Sequence, residues 1–492
     1  MKKTIMVAAD LGASGGKMAK GYFDGENLKI SNFYTFENKA VELNQNLYWD
    51  IFGLYNSIVD GTTKYAALEN VESIAVDTWG ASYGLLDSER RLLEPTYHYR
   101  DIRTMNTVQN MYRVVEKQTL FEMTGCQCNR TYTLPQLYSY IERGSDMLNK
   151  AYKMLFLPDL LAYFLSGEIS TEMTIAGTSA LMDTEQENWC FEVFEKFNIP
   201  THLLTAIVDA GTIKGNILPD LAKRIGTSQT KVIATVGHDS ASAIAAIPGF
   251  GPNKLYISIG TNISMGVERE ESIVSDLAYK GGFKNTGGLA RKKIVYRDFA
   301  AFWIINELRR IWQQEGDEYT FQDLIEIALE TSSKQVFIDV EEQAFNNAGG
   351  DMRIKINEYL RRTNQNELES VGEFVRCVFE SITLKIKYCA EFLREKLSIP
   401  FEEVYIVNGG TRNQLLMQMI SDALHMEIKA GLPYATLAGN ILTQLYALRK
   451  VRTIDEVRDL SKRSFEMKVY EPIIKSRWDD WLDIAIEKGT CK

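Results

Sequence analysis

The sequence predicts an α/β fold with two domains, and three observations lead to this expectation. The chain has 492 residues, which is more than one ordinary hydrophobic core accommodates. Short apolar runs typical of buried strands alternate along it with amphipathic helical patterns. A strand, a glycine-rich turn and a return strand recur near the start of each half. We therefore expect one domain over residues 1–247 and a second over residues 248–492.

A β-hairpin is predicted at the start of the chain. Residues 4–9 form a short apolar run that ends at Asp10, and residues 17–23 return after a glycine-rich tip. Two later apolar runs, at 73–77 and 231–236, are predicted to be further buried strands. The first half should therefore contain the strands of one sheet.

The second half repeats this arrangement and adds a strong helix signal. Residues 255–258 and 263–267 are predicted strands on either side of a glycine turn. Ser370 and Glu373 have the spacing of a capping box and precede an apolar stripe at helical spacing. A strand at 404–407 is followed by another glycine turn and an amphipathic helix, which continues the α/β pattern.

Composition and charge exclude several classes of protein. The net charge of −10 argues against a nucleic-acid partner, because phosphate backbones need a basic surface. Six cysteines without zinc-site spacing fit a reducing cytoplasm. The first apolar run is too short for a signal peptide, and no run has the length that spans a bilayer, so we expect a cytoplasmic protein without a membrane partner. Monomer and homodimer both remain open.

Three glycine turns at strand ends are candidate phosphate or nucleotide sites. The first lies between Asp10 and Lys17, the second at Gly260-Thr261 and the third at Gly409-Gly410. Phosphate groups need several backbone N–H donors at close range, and glycine permits both the turn and the approach. A carboxylate at a strand end, here Asp10, can hold Mg²⁺, usually through water. Any one tip could be a bare turn, but three of them spread over both halves favour phosphate binding.

The motifs along the chain resemble those of the FGGY family of carbohydrate kinases, and the resemblance covers nearly the whole length. The matching segments follow the order found in the family. They are Asp10-Leu-Gly-Ala-Ser-Gly-Gly-Lys17, Asp77-Thr-Trp-Gly80, Tyr83-Gly-Leu-Leu-Asp87, Tyr99-Arg-Asp-Ile-Arg-Thr104, Thr124-Gly125, Pro158-Asp159, His238-Asp-Ser-Ala-Ser-Ala243, Gly409-Gly-Thr-Arg-Asn413, Gly439-Asn-Ile-Leu442 and Tyr470-Glu-Pro472. So many ordered matches make the resemblance specific.

The resemblance implies a duplicated actin-like ATPase fold, of the ribonuclease H-like type, with a central cleft between two domains. It implies an ATP-dependent enzyme that uses Mg²⁺ and phosphorylates the C1 primary hydroxyl of a ketose or deoxyketose. L-rhamnulose is the first expectation for the sugar, and L-fuculose or another ketose such as xylulose is the alternative. The expected partners are therefore two small molecules, the sugar and ATP.

The resemblance also implies roles for individual residues. Asp239 is the expected catalytic base, which accepts the proton of the sugar hydroxyl as its oxygen attacks the γ-phosphorus. The expected sugar contacts are Gly80, His238, Asp239, Ser240 and Asp298. The expected ATP contacts are Ala13, Ser14, Gly15, Gly16, Lys17, Thr261, Asn306, Gly409 and Gly410, and the expected metal ligand is Asp10.

Five positions depart from the branch of the family that the chain most resembles. Lys17 stands where that branch carries arginine, so the charge is kept but the planar fork is lost. Asn262 lies in an altered glycine turn, Asp298 replaces an asparagine, Asn306 replaces a glutamine and Tyr434 replaces a glutamate. The changes at Asn262 and Asp298 put the identity of the sugar in question more than the reaction.

Four residues have a plain structural interpretation beside the functional one. Asp239 follows a strand and precedes a short helix, so it could be only the N-cap of that helix. Asp77 could stabilise its domain without touching a ligand. Asp10 could orient the loop without touching the metal, and Trp79 could pack beneath the sugar or fill the core.

A protein of a different class remains an alternative. A non-catalytic sensor on the same fold would bind sugar and nucleotide, and the departures from the family pattern motivate that hypothesis. Asp239 argues against it, because a sensor needs no base. An ATPase of the actin class that acts on protein partners would leave the segment His238-Asp239-Ser240 unexplained.

Overall fold

The computed structural model describes residues 3–227, 229–260, 262–346, 349–474 and 476–491. The chain divides into two compact units, and each is built from three segments. The first unit comprises Met1–Phe250, Glu268–Val295 and Tyr434–Phe465, and the second comprises Gly251–Val267, Tyr296–Pro433 and Glu466–Lys492.

Two segments beyond residue 247 thus pack with the first unit, Glu268–Val295 and Tyr434–Phe465. A division into 1–247 and 248–492 follows chain order, which does not determine the sheet against which a later segment packs. The contiguous boundary remains a prediction about where the two halves of the duplication meet.

The chain contains strands in both units, and several of them are only two residues long. The strands are β1 (Thr4–Gly12), β2 (Gly15–Phe23), β3 (Leu28–Glu37), β4 (Ala40–Leu43), β5 (Asn46–Trp49), β6 (Ser73–Thr78), β7 (Tyr83–Leu86), β8 (Lys153–Phe156), β9 (Thr171–Glu172), β10 (Met182–Asp183), β11 (Asn188–Trp189), β12 (Ile207–Val208), β13 (Thr212–Asn216), β14 (Lys231–Ala234), β15 (Lys254–Ile259), β16 (Asn262–Arg269), β17 (Lys284–Gly287), β18 (Lys293–Ala300), β19 (Glu403–Val407), β20 (Ile428–Gly431) and β21 (Met467–Tyr470).

Helices alternate with these strands. They are α1 (Ile51–Ala66), α2 (Thr107–Val114), α3 (Lys117–Thr124), α4 (Thr133–Glu142), α5 (Met147–Lys150), α6 (Leu157–Ser166), α7 (Met173–Ala176), α8 (Phe191–Lys196), α9 (Pro219–Ile225), α10 (Asp239–Ala245), α11 (Asp276–Lys280), α12 (Phe302–Glu315), α13 (Phe321–Glu330), α14 (Gln343–Asn346), α15 (Met352–Arg362), α16 (Val371–Glu391), α17 (Gln414–Leu424), α18 (Ala435–Ala447), α19 (Ile454–Ser464) and α20 (Ser476–Glu487).

The main sheet of the first unit has the strand order β13-β14-β6-β1-β2-β3. Its centre is parallel, because β6 pairs parallel with both β1 and β14. The predicted hairpin is confirmed, with β1 and β2 antiparallel. Strand β1 runs through Asp10 to Gly12, so the turn consists only of Ala13 and Ser14 and is shorter than the sequence pattern indicated.

The second unit repeats this topology. The sheet that contains β15 has the strand order β17-β18-β16-β15-β19-β20-β21, and its six strands from β18 to β21 repeat the order of the first sheet. Strand β15 pairs antiparallel with β16 and parallel with β19, which pairs parallel with β20, and β21 is antiparallel to β20. The two orders correspond strand for strand, from the hairpin through two further parallel strands to an antiparallel edge. The predicted duplicated α/β fold is therefore confirmed.

The central sheet of the first unit is covered on both faces. Alternate residues of β1 share one face of the sheet. Ile5, Val7 and Ala9 lie on the face where they join a hydrophobic cluster with residues of α1 and α6. Met6 and Ala8 point to the other side and are fully buried, and α10 and α18 contact this strand. Covering both faces explains why residues 5–9 of β1 form an unbroken apolar run.

The capping box predicted in the second half is present. Ser370 accepts a hydrogen bond at Oγ from the N–H of Glu373 at 3.3 Å, and Glu373 accepts at Oε2 from the N–H of Ser370 at 3.3 Å. These bonds open α16, whose apolar stripe is buried in the second unit.

Three further features concern the described residues only. None of the helices in this part of the chain is long and apolar enough to cross a bilayer. Within the same residues, no three His, Cys, Asp or Glu side chains are arranged to hold a metal ion by themselves. All six cysteines are free thiols.

Candidate active site

Two acids lie side by side at the ends of the central parallel strands of the first unit. Asp10 on β1 is in register with Asp77 on β6 and, across the hairpin, with Lys17 on β2. Asp10 is partly exposed, whereas Asp77 is completely buried. The carboxyl ends of parallel strands form the edge at which α/β proteins bind ligands. The fold therefore converts two separate sequence motifs into one pair of carboxyl groups at that edge.

Burial and mutual repulsion raise the pKa of both acids. Burial is the largest cause at Asp10 and the charge of Asp239 the second, and they raise its pKa to about 7 although Lys17 opposes them. Burial and then the charge of Asp10 raise the pKa of Asp77 well above its usual range. Oδ1 of Asp77 has no hydrogen-bond partner among the described residues. A proton held between the two neighbouring carboxyl groups would relieve their mutual repulsion.

Helix α18 supports this pair from behind. Asn440 donates from Nδ2 to Oδ2 of Asp77 at 2.6 Å. Gln444, one turn later, donates from Nε2 to Oδ1 of Asn440 at 2.8 Å and accepts at Oε1 from the hydroxyl of Ser73 at 2.6 Å. The contact with Asn440 lowers the pKa of Asp77 and partly offsets burial. The sequence reasoning noted the segment around Asn440 but gave this residue no role.

Asp239 lies in the first turn of α10. The interpretation of Asp239 as the N-cap of this helix is wrong, because His238 occupies the cap position and Asp239 is already helical. Its Oδ1 accepts from the backbone N–H of Ser240 at 2.6 Å and from the Ser240 hydroxyl at 3.2 Å, and Nε2 of His238 lies 3.4 Å away. The charge of Asp239 contributes to the raised pKa values of Asp10 and Asp77, so the three acids form one electrostatic cluster.

Aromatic rings pack beside this cluster. The rings of Trp49 and Trp79 are 4.1 Å apart, and Trp49 contacts Tyr99 at 5.7 Å between centroids. Burial raises the pKa of Tyr99, and the charge of Asp239 adds to the effect. Trp79 is 6% exposed and donates from Nε1 to the Ser82 hydroxyl at 2.8 Å, so it belongs to the core. Tyr99 is the member of the group that keeps partial exposure close to Asp239.

The turn after β6 is held in a strained conformation. Ala81, next to Gly80, has φ of 67°, in the left-handed region that residues with a Cβ disfavour. Its carbonyl accepts from the Thr133 hydroxyl at 2.9 Å and from Nε2 of Gln136 at 3.1 Å, and its N–H donates to Oγ1 of Thr178 at 3.0 Å. Three side chains thus fix the backbone of Ala81 on both sides. Ala81 directly follows Gly80, which is the residue predicted to contact the sugar through its backbone.

The hairpin tip of the first unit is rigidly supported. Asn38 donates from Nδ2 to the carbonyl of Gly12 at 3.0 Å, just before the turn. A Cβ at Gly16 would lie 2.2 Å from the ring of Phe36, so a larger residue there would have to displace that ring. Ala13 and Ser14 form the exposed turn itself. This geometry leaves backbone groups of the tip accessible, as a phosphate site requires.

Two of the departures from the family pattern meet in space. The ammonium of Lys17 lies 5.6 Å from the centroid of the Tyr434 ring, and Phe33 packs against the same ring at 4.4 Å. The aromatic face therefore offers Lys17 a cation–π contact beside the hairpin tip.

In the second unit, two of the predicted nucleotide loops lie together. A Cβ at Gly410 would come within 2.1 Å of Ile259 at the end of β15, whereas nothing lies within 4 Å of a Cβ at Gly409. Gly409 and Gly410 begin a short 3₁₀ turn, Gly409–Arg412, and α17 begins only after Asn413, which caps it. The two glycines therefore lie in the turn that precedes α17 and not in the first turn of that helix. Thr261, the other predicted contact, lies outside the described residues.

The remaining predicted contacts also belong to the second unit. Asp298 is exposed on β18, and Asn306 is half-buried on α12. Their roles remain predictions.

The fold is that of solved sugar kinases. The chain superposes on a xylulose kinase of Lactobacillus acidophilus with a TM-score of 0.82, covering 98% of this chain and 97% of the other at 14% identity. It superposes on a glycerol kinase of Plasmodium falciparum with a TM-score of 0.81, covering 99% and 98% of the two chains, also at 14% identity. These likenesses establish the architecture, and sequence establishes the family.

The chain belongs to the FGGY family of carbohydrate kinases. The model of the family's N-terminal domain matches residues 5–246, and that of its C-terminal domain matches residues 255–448. Among relatives, a rhamnulokinase of Bacteroides thetaiotaomicron is 32% identical over 97% of this chain and 98% of its own length. A rhamnulokinase of Oceanobacillus iheyensis is 30% identical over 95% of this chain and 98% of its own. The expected resemblance is confirmed, and the chain is a sugar phosphotransferase.

Proposed function

We propose that the protein transfers the γ-phosphoryl group of ATP to the C1 hydroxyl of a ketose, with L-rhamnulose as its main substrate. The observation that carries the reaction type is Asp239, held in the first turn of α10 within electrostatic reach of the acids at the ends of β1 and β6. The choice of sugar rests on the names of the relatives that match along nearly the whole chain.

Asp239 accepts the proton of the C1 hydroxyl while that oxygen forms a bond to the γ-phosphorus and the bond to the β-phosphate oxygen breaks. The contacts from His238 and Ser240 all converge on Oδ1, so we assign proton acceptance to Oδ2. Ser240 fixes the orientation of the carboxylate before the sugar arrives.

We expect Asp10 to hold Mg²⁺. The contact would pass through a water molecule, because this ion gives up its water ligands reluctantly. The raised pKa values of Asp10 and Asp77 reflect burial and the repulsion between neighbouring acids, which is the environment that a divalent cation relieves. Carboxylates are the preferred ligands of this ion. Bound with ATP, magnesium would neutralise charge on the phosphates.

The other predicted residues bind and orient the two substrates. We expect His238, Ser240, Gly80 and Asp298 to contact the sugar. We expect the nucleotide to contact Ala13, Ser14, Gly15, Gly16, Lys17, Thr261, Asn306, Gly409 and Gly410. The Ala81 peptide, fixed by three side chains, would keep the Gly80 backbone ready for the sugar without further ordering. Both substrates are cytoplasmic metabolites, so we propose a cytoplasmic location.

A panel of ketoses in a coupled assay of ADP release tests this proposal. We expect L-rhamnulose to give the highest kcat/KM, followed by L-fuculose and xylulose. The variant D239N should lose about 1000-fold in kcat, equivalent to about 4 kcal/mol of transition-state stabilisation. Its affinity for L-rhamnulose, measured by calorimetry, should stay within about threefold of the wild type.

Two results would contradict the proposal in different ways. Near-normal turnover by D239N would reject the assignment of the base. Binding of sugar and ATP by the wild type without turnover of any ketose would favour the non-catalytic sensor. A higher kcat/KM for another ketose would change the assigned substrate and leave the proposed reaction unchanged.

A further inference from the structure

A buried hydrogen-bond network leads from the core of the first unit to the peptide that precedes Asp239. Its centre is the carboxylate of Glu172, which is 1% exposed. Oε2 of Glu172 accepts from the backbone N–H of Gly237 at 3.0 Å and from the hydroxyl of Thr174 at 2.6 Å. Gly237 is 65 residues away along the chain. The contact is therefore tertiary and is not part of a local turn.

Thr174 makes the second half of the connection. Its Oγ1, which donates to Glu172, accepts from the backbone N–H of His238 at 3.3 Å. Two consecutive amides, those of Gly237 and His238, thus end on neighbouring side chains of one short segment. The carbonyl of Gly237 accepts from the N–H of Thr78 at 2.9 Å. The peptide before the base is bound on both sides.

Glu172 is itself fixed by a buried ion pair. Its own N–H donates to the carboxylate of Asp159 at 3.1 Å, and Asp159 accepts from the ammonium of Lys214 at 2.6 Å. The side chains of Asp159 and Lys214 are 2% and 1% exposed. Burying four charged and polar groups is costly unless each finds its partner, so a network this complete resists displacement.

We propose that Glu172 and Thr174 are positioning residues that hold the Gly237–His238 peptide and thereby set the place of Asp239. This inference rests on the proposed role of Asp239 as the base. A general base must lie within hydrogen-bond distance of the proton it takes, and displacements of about 1 Å can lower the rate about 100-fold. Loss of either acceptor leaves a buried amide unpaired, which favours movement of the peptide.

A purely structural role would give a different outcome. Glu172 also caps α7, because it accepts from the N–H groups of Thr174 and Ile175 at 2.9 and 3.1 Å. If Glu172 only capped α7, its replacement would lower the stability of the protein, and kcat of the folded enzyme would not change. Asp50 provides a matched control in the same unit, since it caps α1 through the N–H of Gly53 at 2.9 Å and has no part in the proposed site.

The decisive comparison is between T174V and T174S. Valine keeps the shape but removes the hydroxyl that receives the His238 amide, whereas serine keeps the hydroxyl and loses a buried methyl group. We expect T174V and E172Q to lower kcat about 10- to 100-fold with KM for MgATP within about twofold of the wild type. T174S should keep at least about half of kcat, and D50A should lose thermal stability while keeping kcat.

A measurement without turnover completes the test. Backbone hydrogen exchange of the peptide that contains Gly237 and His238 should be slow in the wild type and T174S and at least about tenfold faster in T174V. Equal kcat in T174V and T174S, or equal exchange in both, would overturn the positioning role. A loss of kcat in D50A as large as that in E172Q would also overturn it. Absence of wild-type turnover on every ketose would instead refute the proposed function. In that case, the hydrogen-exchange comparison of T174V with T174S would still test whether Thr174 holds the Gly237–His238 peptide.

Discussion

The two sheets have the same strand order but different side chains at the ends of their central strands. In the first unit, Asp10 on β1 faces Asp77 on β6 in register. In the second unit, Ser258 lies near the end of β15, and Asn408, directly after β19, donates to its hydroxyl at 2.9 Å. The first strand end is acidic, and the second is neutral and already paired.

This difference shows how a duplicated topology can support two kinds of site. The strand order places a ligand-binding edge at the same position of each sheet. The residues at the strand ends then decide what that edge can do. Acids with raised pKa values favour metal and proton chemistry, whereas a neutral edge beside Gly409 and Gly410 suits backbone approach to a nucleotide.

Among the variants that compare the two strand edges, the largest effect should follow from neutralising the acidic edge. We expect D10N to lower kcat about 100-fold, or about 2.7 kcal/mol, because the charge that compensates bound magnesium is lost. The matched change at the neutral edge, S258A, should alter kcat less than about threefold. Steady-state assays with saturating ATP measure both. Equal losses in the two variants would remove the functional distinction between the edges.

The nucleotide side of the comparison can be tested with two neighbouring glycines. In G409A the added Cβ meets nothing within 4 Å, so stability should be unchanged while KM for MgATP rises about tenfold. In G410A the added Cβ would lie 2.1 Å from Ile259, so the free energy of unfolding should fall by about 1–3 kcal/mol. Nucleotide titrations and thermal denaturation separate the two effects. An unchanged KM in G409A would contradict the nucleotide contact.

The pH dependence of stability should also differ between the edges. The pKa of Asp10 is raised from 3.8 to about 7 in the fold, so the native state holds more protons between those values. Its contribution to stability is present below the unfolded pKa and is lost as pH rises through about 7. We therefore expect D10N to melt about 2–4 °C above the wild type near pH 8, with a smaller difference near pH 5.

Thermal denaturation of both proteins across this range measures the effect. S258A carries no titrating group and should shift the melting temperature equally at all these pH values. A difference between D10N and the wild type that shrinks as pH rises would contradict the assigned direction.

The smallest effect should come from a helix cap of the second unit that is part of neither strand edge. S370A removes the hydroxyl that accepts from Glu373 at the start of α16. We expect a loss of about 1 kcal/mol in the free energy of unfolding with unchanged kcat and KM. Chemical denaturation and steady-state kinetics measure the two quantities. A loss of activity here would mean that the scaffold of the second unit is coupled to catalysis.

Local features of the fold were predictable from sequence. The hairpin between Asp10 and Lys17 and the capping box at Ser370 depend on residues a few positions apart, and both are present. The N-cap of α10, which is His238, was missed by one residue, because cap and first-turn positions both favour acidic residues. The short 3₁₀ turn at Gly409 was missed because a glycine pair signals a turn without specifying its length.

The sequence by itself determined the family, the duplicated α/β topology and Asp239 as the residue to test. Only the tertiary structure brought Asn440 to Asp77, which is 363 residues away, and Glu172 to Gly237. It also revealed that Asp10 and Asp77 share one edge with Asp239. Periodicity and turn signals report contacts within a few residues, whereas these partners meet only after the sheet and its helices have packed. Buried polar groups form hydrogen bonds with the partners that packing brings near them, and no local sequence pattern predicts those partners.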